Sequence, residues 1–558
     1  MIIVDRERRL RAEPQNGYNF WTAIWETVRE GAQRLKMSRS TRIQLRDWAA
    51  CILSHLVLIL AYYLLSLLLW DRIFLLSCVV HFFTTLRWQI HIRSKYPPGP
   101  PPMAILGNSP VINVLAPETT FLEYREIYGP VFTLHLSKPT VILANYESCF
   151  EALVPNGQKT AGRSSSESFV LFTGDRENGD GVILAMRDKW KTMRTEIRRF
   201  MSKWYGQRMD DLVISHTDRL KQHLKETSKD ELVDLRDPLA GAIANVIQQI
   251  TIGKNFEYQD PEFQTQLTNI NSVVKEIMTA AVFFVNCYPW LRFLPEGIIK
   301  SWTNYKNSGF KLQQWFRNHL EEHQKNPYQD DFMSHMLDKQ EDNKEGFNDL
   351  SIILTCGDMW TGGMETTTTT LRWGIIYLLQ NPEVQTKCHE EIKRVFGNET
   401  PEMKRINETP YVKATLSEIQ RLANVLPWAI PHKTFEATRV GAHTIPADTE
   451  IIPALGALLC DPQVFENPKT FNPERFLDQE GNYKTIEEFR PFGMGPRVCL
   501  GEKLARTELY LIFTYLLQNF EFYLNKTDPM PVAERMIGGI TAPPKPYSTR
   551  VKFIGEDL

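Results

Sequence analysis

The chain has 558 residues, 43% of them hydrophobic, so it is long enough to bury a large core in one or several domains. Its 64 basic residues nearly balance 66 acidic ones, which gives no general attraction to nucleic acid. The eight cysteines are scattered without a C-x-x-C pair. This pattern argues against a disulfide framework and a structural zinc site, and it favours a reducing compartment.

The N-terminal part predicts a membrane anchor at 51–90. Residues 1–50 form a polar tail that carries no chemical motif, and they are too long and too polar for a cleaved signal peptide. Residues 51–70 then run without an acidic side chain, lysine or arginine, with His55 as the one titratable nitrogen. This is the length that a helix needs to cross a bilayer.

A second apolar segment at 73–86 follows an interruption by Asp71 and Arg72. It predicts either an interfacial segment or the second limb of a hairpin formed by 51–70 and 73–88, with an ordinary buried helix as the alternative. The anchor is therefore either one span or two. Residues 91–105 come next and combine basic side chains with five prolines, which predicts a stiff hinge.

The remainder, 106–558, has no internal repeats and predicts one large domain. Residues 129–145 favour two short strands across a Ser-Lys-Pro turn, and the alternation after Thr434 is also typical of strands. Between about 187 and 425 the apolar spacing is three to four residues, which favours helices. The predicted fold class is mainly α with small β-sheets.

One predicted helix, about 350–380, has an unusual centre. Its segment MWTGGMETTTTT, residues 359–370, places two glycines and six threonines inside an apolar helix. These residues are poor helix formers, so we expect a local distortion where hydroxyls or water replace backbone hydrogen bonds. The alternative is an ordinary threonine-rich core helix.

Two residue pairs have helical spacing. Trp190 and Arg194 lie four positions apart, and Glu418 and Arg421 lie three apart, so each pair shares one helix face. Taken alone, either pair is typical of a solvated surface.

The most specific motif is Phe492–Gly501, FGMGPRVCLG, directly before the helical run EKLARTELYLIFTYLLQNF. Its cysteine, Cys499, could be a small core residue, a nucleophile at a helix N-terminus or a metal ligand. A thiolate ligand needs a lowered pKa and nearby N–H donors, and a glycine-rich turn at a helix start supplies both. The motif F-x-x-G-x-R-x-C-x-G resembles that of the cytochrome P-450 haem-thiolate monooxygenases of animal microsomes.

The resemblance implies the cytochrome P-450 fold, a single haem domain behind the anchor, with haem b bound through Cys499. By that resemblance Phe492 would pack near the sulfur, Arg497 would meet a haem propionate, and Gly495 and Gly501 would permit close approach. The implied cofactor-binding residues are Trp190, Arg194, His432, Phe492, Arg497 and Gly501. Lys433 is a less favoured neighbour of His432 for the same role.

The resemblance also assigns roles to the threonine-rich helix and the charged pair. Thr366 would hold the distal oxygen ligand and its water, while Glu365 would feed protons into the groove. Arg475, in FNPERF, would join Glu418 and Arg421 in a buried structural network.

The implied reaction inserts one oxygen atom from O₂ into an apolar substrate, using electrons from NADPH. The implied partners are an NADPH-cytochrome reductase, with cytochrome b5 as an optional second donor, at the cytosolic face of the endoplasmic reticulum membrane. The alternatives are a haem-thiolate isomerase or dehydratase of oxygenated lipids and a non-enzymatic haem-binding membrane protein. An intact Glu365 and Thr366 count against the isomerase.

Topology and substrate remain open at this level. A cytosolic body and the excess of ten Lys and Arg over six Asp and Glu in the tail both favour the hairpin. The segments expected to line the substrate pocket are 164–181, Met359, Gly362, Trp428–Ile430 and Gly538–Thr541. Their mixed residues are compatible with a steroid, a fatty acid or a xenobiotic.

Overall fold

The computed structural model describes residues 39–69, 72–103, 106–113, 115–136, 138–227, 231–326, 330–342, 347–536 and 540–555. The first 38 residues of the predicted tail lie outside the described residues, as do Trp70 and Asp71 at the proposed hairpin turn. Residues 537–539 also lie outside them, and these include the first two residues of the expected pocket segment Gly538–Thr541.

The described residues form mainly helices. They are α1 Arg39–Leu69, α2 Arg72–Arg93, α3 Pro117–Tyr128, α4 Tyr146–Leu153, α5 Glu167–Thr173, α6 Arg187–Met201, α7 Gln207–Thr227, α8 Arg236–Ile252, α9 Pro261–Glu276, α10 Ala280–Cys287, α11 Lys300–Lys325, α12 Phe332–Asp342, α13 Asp349–Gln380, α14 Pro382–Phe396, α15 Pro410–Ala423, α16 Leu455–Leu459 and α17 Glu502–Asn519. Short 3-10 turns occur at Ser109–Val111, Pro289–Phe293, Met403–Glu408 and Pro473–Phe476.

Nine short strands complete the body. They are β1 Val131–His135, β2 Pro139–Leu143, β3 Gly162–Arg163, β4 His432–Lys433, β5 Thr438–Val440, β6 His443–Ile445, β7 Glu450–Pro453, β8 Phe520–Tyr523 and β9 Arg550–Phe553. One sheet has the order β1-β2-β7-β4-β3, in which only β2 and β7 are parallel; β5 pairs with β6 and β8 with β9. The predicted fold class, mainly α with small β-sheets, is confirmed.

Helix α13 passes through the centre of the body. It packs against α8, α11, α15 and α17, and Trp360 near its middle is fully buried. The apolar spacing of the sequence explains this position, because a helix that is apolar on most sides has to be surrounded by others. The predicted boundary at Asn381 is also observed, since α13 ends at Gln380 and α14 begins at Pro382.

The two N-terminal helices lie side by side. The rings of His55 in α1 and Phe82 in α2 have centroids 5.4 Å apart, and the Arg93 guanidinium lies 5.6 Å from the ring of Trp48. The start of α1 and the end of α2 are therefore neighbours. Within the described part of the chain, Ile43–Leu64 is the one unbroken helical segment long and apolar enough to cross a membrane, with a mean hydropathy of 1.6.

Helix α1 begins inside the predicted polar tail, and its first turns contact the body. Arg46 Nη2 donates to the Tyr124 hydroxyl of α3 at 3.2 Å, and Ile43 packs against the apolar cluster around Phe121. The first part of this helix is thus docked on the domain, and the apolar remainder extends away from it.

The predicted hinge is packed against the body. The Thr133 amide of β1 donates to the carbonyl of Pro98 at 2.9 Å, and Asn108 Nδ2 donates to the carbonyl of Pro101 at 3.0 Å. A Cβ atom on Gly99 would lie 2.0 Å from the Thr133 carbonyl oxygen. Residues 97–102 of the predicted stiff hinge are therefore held against the domain by hydrogen bonds that the proline-rich composition did not reveal.

Candidate active site

Glycine fixes the loop that carries Cys499. Gly493 and Gly495 have φ angles of 77° and 76°. A Cβ atom on Gly495 would lie 1.9 Å from the carbonyl oxygen of Leu153 in α4. Both the left-handed backbone and the close approach favour glycine at this position, and the approach is between two stretches of protein backbone.

The cysteine stands at the start of α17. Its amide donates to the carbonyl of Phe492 at 3.0 Å, which closes the loop, and the amide of Ala505 donates to the carbonyl of Gly501 at 2.8 Å, which begins the helix. A Cβ atom on Gly501 would meet no atom of the described residues within 4 Å. The wall beside the sulfur therefore has space for a flat ligand.

The Cys499 side chain is solvent-accessible, yet burial raises the pKa of its thiol. The two observations agree if the sulfur faces an internal space. A hydrogen bond from the Gly501 amide and the charge of Arg194 act in the opposite direction and lower that pKa. These groups support a thiolate once a metal replaces the proton.

Two predicted haem-binding arginines lie beside this loop on Trp190. Arg497 donates to the carbonyls of Ala161 at 2.9 Å and Ala185 at 2.6 Å, and its guanidinium lies 4.0 Å from the centre of the Trp190 ring. Arg194, one turn further along α6, lies 5.9 Å from the same ring. The structure therefore brings Trp190, Arg194 and Arg497 together, as the sequence predicted.

A third arginine, Arg163, was missed by the sequence analysis. It lies in β3, where it pairs in register with His432 of β4, and it donates to the carbonyls of Ile430 at 3.0 Å and Ile183 at 3.1 Å. No spacing signal marks it, because its neighbours come from a strand far away in sequence.

His432 lies next to Arg163 and is buried. Its Nδ1 lies 2.9 Å from the carbonyl oxygen of Thr160, so this nitrogen carries the proton. Burial and the charge of Arg163 lower the pKa of His432 well below its usual value, which leaves the imidazole neutral. The neighbouring Lys433 instead pairs with Asp448 at 2.5 Å.

The cluster of Arg163, Arg194 and Arg497 has no acidic counterion among the described residues, and none of the three forms an ion pair there. Burial lowers the pKa of all three guanidiniums. Repulsion adds to this effect, from within the cluster for Arg163 and Arg497 and from the neighbouring Arg198 for Arg194. Guanidinium groups stay charged at neutral pH, so the folded chain maintains uncompensated positive charge here. A bound anion would relieve that cost.

On α13, Thr366 bonds to its own helix. Its hydroxyl donates to the carbonyl of Gly362 at 2.7 Å, and Thr370 repeats the pattern by donating to the carbonyl of Thr366 at 2.8 Å. Gly362 is exposed although it lies mid-helix. The helix is continuous from 349 to 380, so these hydroxyls bond to carbonyls of the expected distortion without ending the helix.

Glu365 does not bond to Thr366. Its carboxylate accepts hydrogen bonds from Thr369 and Thr541, each at 3.3 Å, and burial raises its pKa. The same carboxylate faces a cavity of about 90 Å³ that Arg236 and Arg372 also line. The two predicted catalytic residues are thus neighbours in sequence with side chains in different surroundings.

The predicted structural network is present. Arg421 donates to both oxygens of Glu418 at 2.7 and 2.8 Å, and Arg475 Nε donates to Glu418 Oε1 at 3.0 Å. Glu418 and Arg421 are fully buried. Arg421 also donates to the carbonyls of Leu459 and Pro468, so the network ties α15 to the chain that precedes the cysteine loop.

Two predicted contacts differ in detail. Phe492 contributes its carbonyl to Cys499, while its ring lies 4.8 Å below the Arg506 guanidinium and lines an outer pocket of about 300 Å³. Trp428, expected in the substrate pocket, packs edge-on against Phe121 with centroids 5.1 Å apart.

A second missed residue is Asp358 of α13. It accepts hydrogen bonds from the amides of Val182 and Ile183, both at 2.8 Å, and burial raises its pKa to about 7. The carbonyls of the same two residues accept from Arg497 and Arg163. A lone acid in the run ILTCGDMW was the available signal.

These donors fit an iron porphyrin. A single thiol beside a wall without side chains suits an axial ligand, and three uncompensated guanidiniums suit the two carboxylates of the porphyrin. A mainly helical domain with this arrangement defines a haem-thiolate protein.

Comparison with known proteins agrees with a haem-thiolate protein. The family model described as cytochrome P450 matches residues 97–551. The chain is 67% identical over 537 residues to a Caenorhabditis elegans protein named 3-ketosteroid oxygenase. The alignment covers 94% of each of the two chains. It is 34% identical to cytochrome P450 2C2 of Oryctolagus cuniculus, over 86% of this chain and 98% of the relative. It is 33% identical to cytochrome P450 2A9 of Mesocricetus auratus, over 79% of this chain and 90% of the relative.

The chain belongs to the cytochrome P450 family. It is a monooxygenase with haem b as cofactor, and it uses O₂ and electrons from NADPH that a reductase partner delivers. The prediction of this function is confirmed, in preference to an isomerase or a non-enzymatic haem protein. Its substrates are apolar.

Proposed function

We propose that the chain oxygenates a steroid that carries a 3-keto group. The observation that carries this proposal is the 67% identity, over 94% of both chains, to the relative named 3-ketosteroid oxygenase. An enzyme discriminates among apolar substrates through the shape of its pocket and a few polar contacts. A relative this similar shares most of these features with the chain.

The test uses the purified full chain with an NADPH-dependent reductase. A 3-ketosteroid should displace the Soret band and yield a product heavier by one oxygen atom, with ¹⁸O from ¹⁸O₂. The same steroid with a 3-hydroxyl group and a long-chain fatty acid are the comparison substrates. Turnover of the fatty acid without a response to either steroid would overturn the proposal.

For the site, we propose that the Cys499 sulfur would bind the haem iron and that the cationic cluster would bind the haem carboxylates. The proposed cofactor-binding residues are Trp190, Arg163, Arg194, His432, Phe492, Arg497 and Gly501. When bound, the haem supplies the activation of O₂. The protein would orient the porphyrin through these side chains.

We further propose that Glu365 and Thr366 handle protons. Burial raises the pKa of Glu365, so its carboxyl keeps, up to a higher pH than an exposed acid would, a proton that it can donate. Rotation away from Thr369 and Thr541 would bring that proton into the groove beside Gly362, where the Thr366 hydroxyl can orient it.

For the membrane, we propose a hairpin anchor in the endoplasmic reticulum with both ends cytosolic. The proximity of Trp48 and Arg93 supports it, since the chain leaves the body through α1 and returns to it through α2. The part of α1 beyond Ala50 measures about 28 Å at 1.5 Å per residue, close to the hydrocarbon thickness. Residues 106–558 then face the cytosol, where NADPH-cytochrome reductase and cytochrome b5 can deliver electrons.

A further inference from the structure

The first turns of α1 precede the apolar run of the predicted anchor, and they bury one face. Ile43, Asp47 and Ala50 recur at a spacing of three to four residues, so they share one side of the helix. Ile43 packs against the apolar cluster around Phe121, while Asp47 and Ala50 are each 2% exposed. A helix that served only to enter the membrane would leave such a face in water. Residues 39–50 therefore pack with the body.

Two charged side chains fix this face to α3. Arg46 Nε donates to Asp47 Oδ1 at 3.0 Å, and Arg46 Nη2 donates to the Tyr124 hydroxyl at 3.2 Å. Tyr124 is fully buried, and its ring lies edge-on to that of Phe132 in β1 with centroids 5.9 Å apart. A guanidinium that bonds to a buried acid and to a buried hydroxyl at once tolerates few arrangements of its partners. Arg46 thus sets how α1 sits on α3.

The end of α2 supplies a second tie. The Arg93 guanidinium lies 5.6 Å from the ring of Trp48 in α1, and its Nη2 donates to the carbonyl of Gly99 at 2.9 Å. Gly99 belongs to the proline segment, which the Thr133 amide of β1 holds through the carbonyl of Pro98. One side chain therefore links α1, the end of α2 and the body.

Helix α3, on which α1 rests, is itself fixed to the body near both of its ends. Arg125 Nη2 donates to the buried Asp461 at 3.1 Å. At the other end, Arg535 Nη1 donates to the two oxygens of Glu118 at 2.9 and 3.0 Å. Asp461 and Arg535 come from segments far from α3 in sequence. Helix α3 therefore cannot follow a movement of α1 without breaking these ion pairs.

Two separate contacts fix the direction of a helix, whereas a single contact would act as a pivot. The contact of Arg46 with Tyr124 is the first, and that of Trp48 with Arg93 is the second. Helix α1 is unbroken from Arg39 to Leu69, so a direction imposed at its start continues into the apolar part.

We propose that residues 39–50, docked on α3, form a rigid joint that holds the catalytic body at one fixed angle to its membrane anchor. The joint rests on the proposed hairpin, because only a cytosolic start of α1 can meet a cytosolic body. A proline segment as the one connection would let the body reorient on the membrane. The contacts of Arg46 and Trp48 remove that freedom.

Rotation of the haem in a membrane tests the joint, and haem serves only as the optical signal. The reduced, haem-loaded full chain is placed in phosphatidylcholine vesicles, carbon monoxide is photodissociated with polarised light, and the absorption anisotropy is followed. Arg46→Ala should add a fast wobble and lower the residual anisotropy, since Asp47 loses its arginine and Tyr124 its donor. Tyr124→Phe keeps the ring and should act in the same direction.

Gln44→Ala is the matched control, because Gln44 is exposed on the same turn of α1. It should keep the anisotropy of the wild type. The double variant Arg46→Ala/Tyr124→Phe should lose no more anisotropy than Arg46→Ala alone, since both changes break the same bond. Wild-type anisotropy in both single variants, or an equal loss in Gln44→Ala, would overturn the joint.

Hydrogen exchange supplies a readout that needs no haem signal. Once undocked, the start of α1 frays, so the amides of 43–50 should exchange about tenfold faster in Arg46→Ala, the scale set by one hydrogen bond to a charged group. The amides of α15 should stay protected, and Gln44→Ala should exchange as the wild type does. Unchanged exchange at 43–50 in Arg46→Ala would contradict the joint.

A glycosylation acceptor engineered near residue 15 separates failure of the joint from failure of the hairpin. An unmodified acceptor together with unchanged exchange at 43–50 would refute the joint and leave the hairpin intact. A glycan on the acceptor would refute both, because α1 would then begin in the lumen. An unmodified acceptor with faster exchange in Arg46→Ala is the result that the joint predicts.

Discussion

Arg194 donates a hydrogen bond to the carbonyl oxygen of Val498, 2.7 Å away, and Val498 directly precedes Cys499. One buried guanidinium therefore belongs to the cationic cluster and also supports the loop of the sulfur. Its two roles make Arg194 a sensitive position for testing the site.

We expect Arg194→Ala to release haem about tenfold faster than the wild type, which corresponds to roughly 1.4 kcal/mol, close to the lower end of what a hydrogen bond to a charged group contributes. Transfer of haem to apomyoglobin measures the rate. Arg198→Ala, an exposed arginine of the same helix, is the control and should release haem at the wild-type rate. Equal rates for all three proteins would remove Arg194 from the haem site.

Cys499→Ala should yield a protein that either lacks haem or binds it without the thiolate signature in the reduced carbon monoxide difference spectrum, because no other described cysteine lies on this loop. Cys287→Ser changes a half-buried cysteine of α10 and should keep the signature. An unchanged spectrum in Cys499→Ala would end the haem-thiolate assignment of this residue.

Thr366→Ala should keep the haem spectrum and separate NADPH consumption from product formation, with about tenfold less product per NADPH and a matching rise in peroxide. Thr370→Ala is the matched control variant, since the Thr370 hydroxyl also donates to the carbonyl four residues earlier. Product, peroxide and NADPH are measured in the same reaction. Normal coupling in Thr366→Ala would exclude the hydroxyl from proton handling.

Asp358 predicts a dependence of stability on pH. Its pKa is raised from 3.8 to about 7 in the folded chain, so between these values the folded state binds a proton that the unfolded state has lost. The contribution of this group to stability is therefore present at low pH and falls as the pH rises from about 4 to 7.

Asp358→Asn should remove this dependence while its amide oxygen still accepts from Val182 and Ile183. The difference in unfolding free energy between variant and wild type should change by roughly 1–3 kcal/mol from pH 4.5 to pH 7.5, in favour of the variant at the higher pH. Thermal unfolding of both proteins across this range is the measurement. Parallel profiles would show that Asp358 is ionised throughout.

The hairpin anchor predicts a cytosolic tail. A glycosylation acceptor engineered near residue 15 should remain unmodified when the chain is expressed in microsomes, because glycan transfer occurs only in the lumen. The same acceptor placed in a lumenal reporter fused to the chain confirms that the microsomes are active. A glycan near residue 15 would contradict the hairpin and leave a single anchor.

The cysteine loop could be predicted because its determinants lie within ten residues and each fixed position meets a local need. Arg163 could not, since its role depends on the pairing of β3 with β4, strands that lie far apart in sequence. The packed proline segment was missed for the same reason. Its partner, the Thr133 amide, belongs to a strand whose position only the folded chain determines.

The boundaries of helices also depend on contacts between residues that lie far apart in sequence. The apolar run begins at Cys51, where the sequence predicts the start of the anchor, whereas α1 begins at Arg39. Hydropathy reports where a helix can enter lipid, and it does not report how far the helix continues along a protein surface. Contacts such as that of Arg46 with Tyr124 explain the additional turns.

The contact of Gly99 with Thr133 also determines where the catalytic body can be separated from its anchor. Since the carbonyl of Pro98 accepts a hydrogen bond from β1, residues 97–102 act as an additional edge of the domain. A shortened protein for crystallisation should therefore begin no later than Tyr96. Removal of the prolines along with the membrane helices would expose β1 and promote aggregation through its unpaired edge.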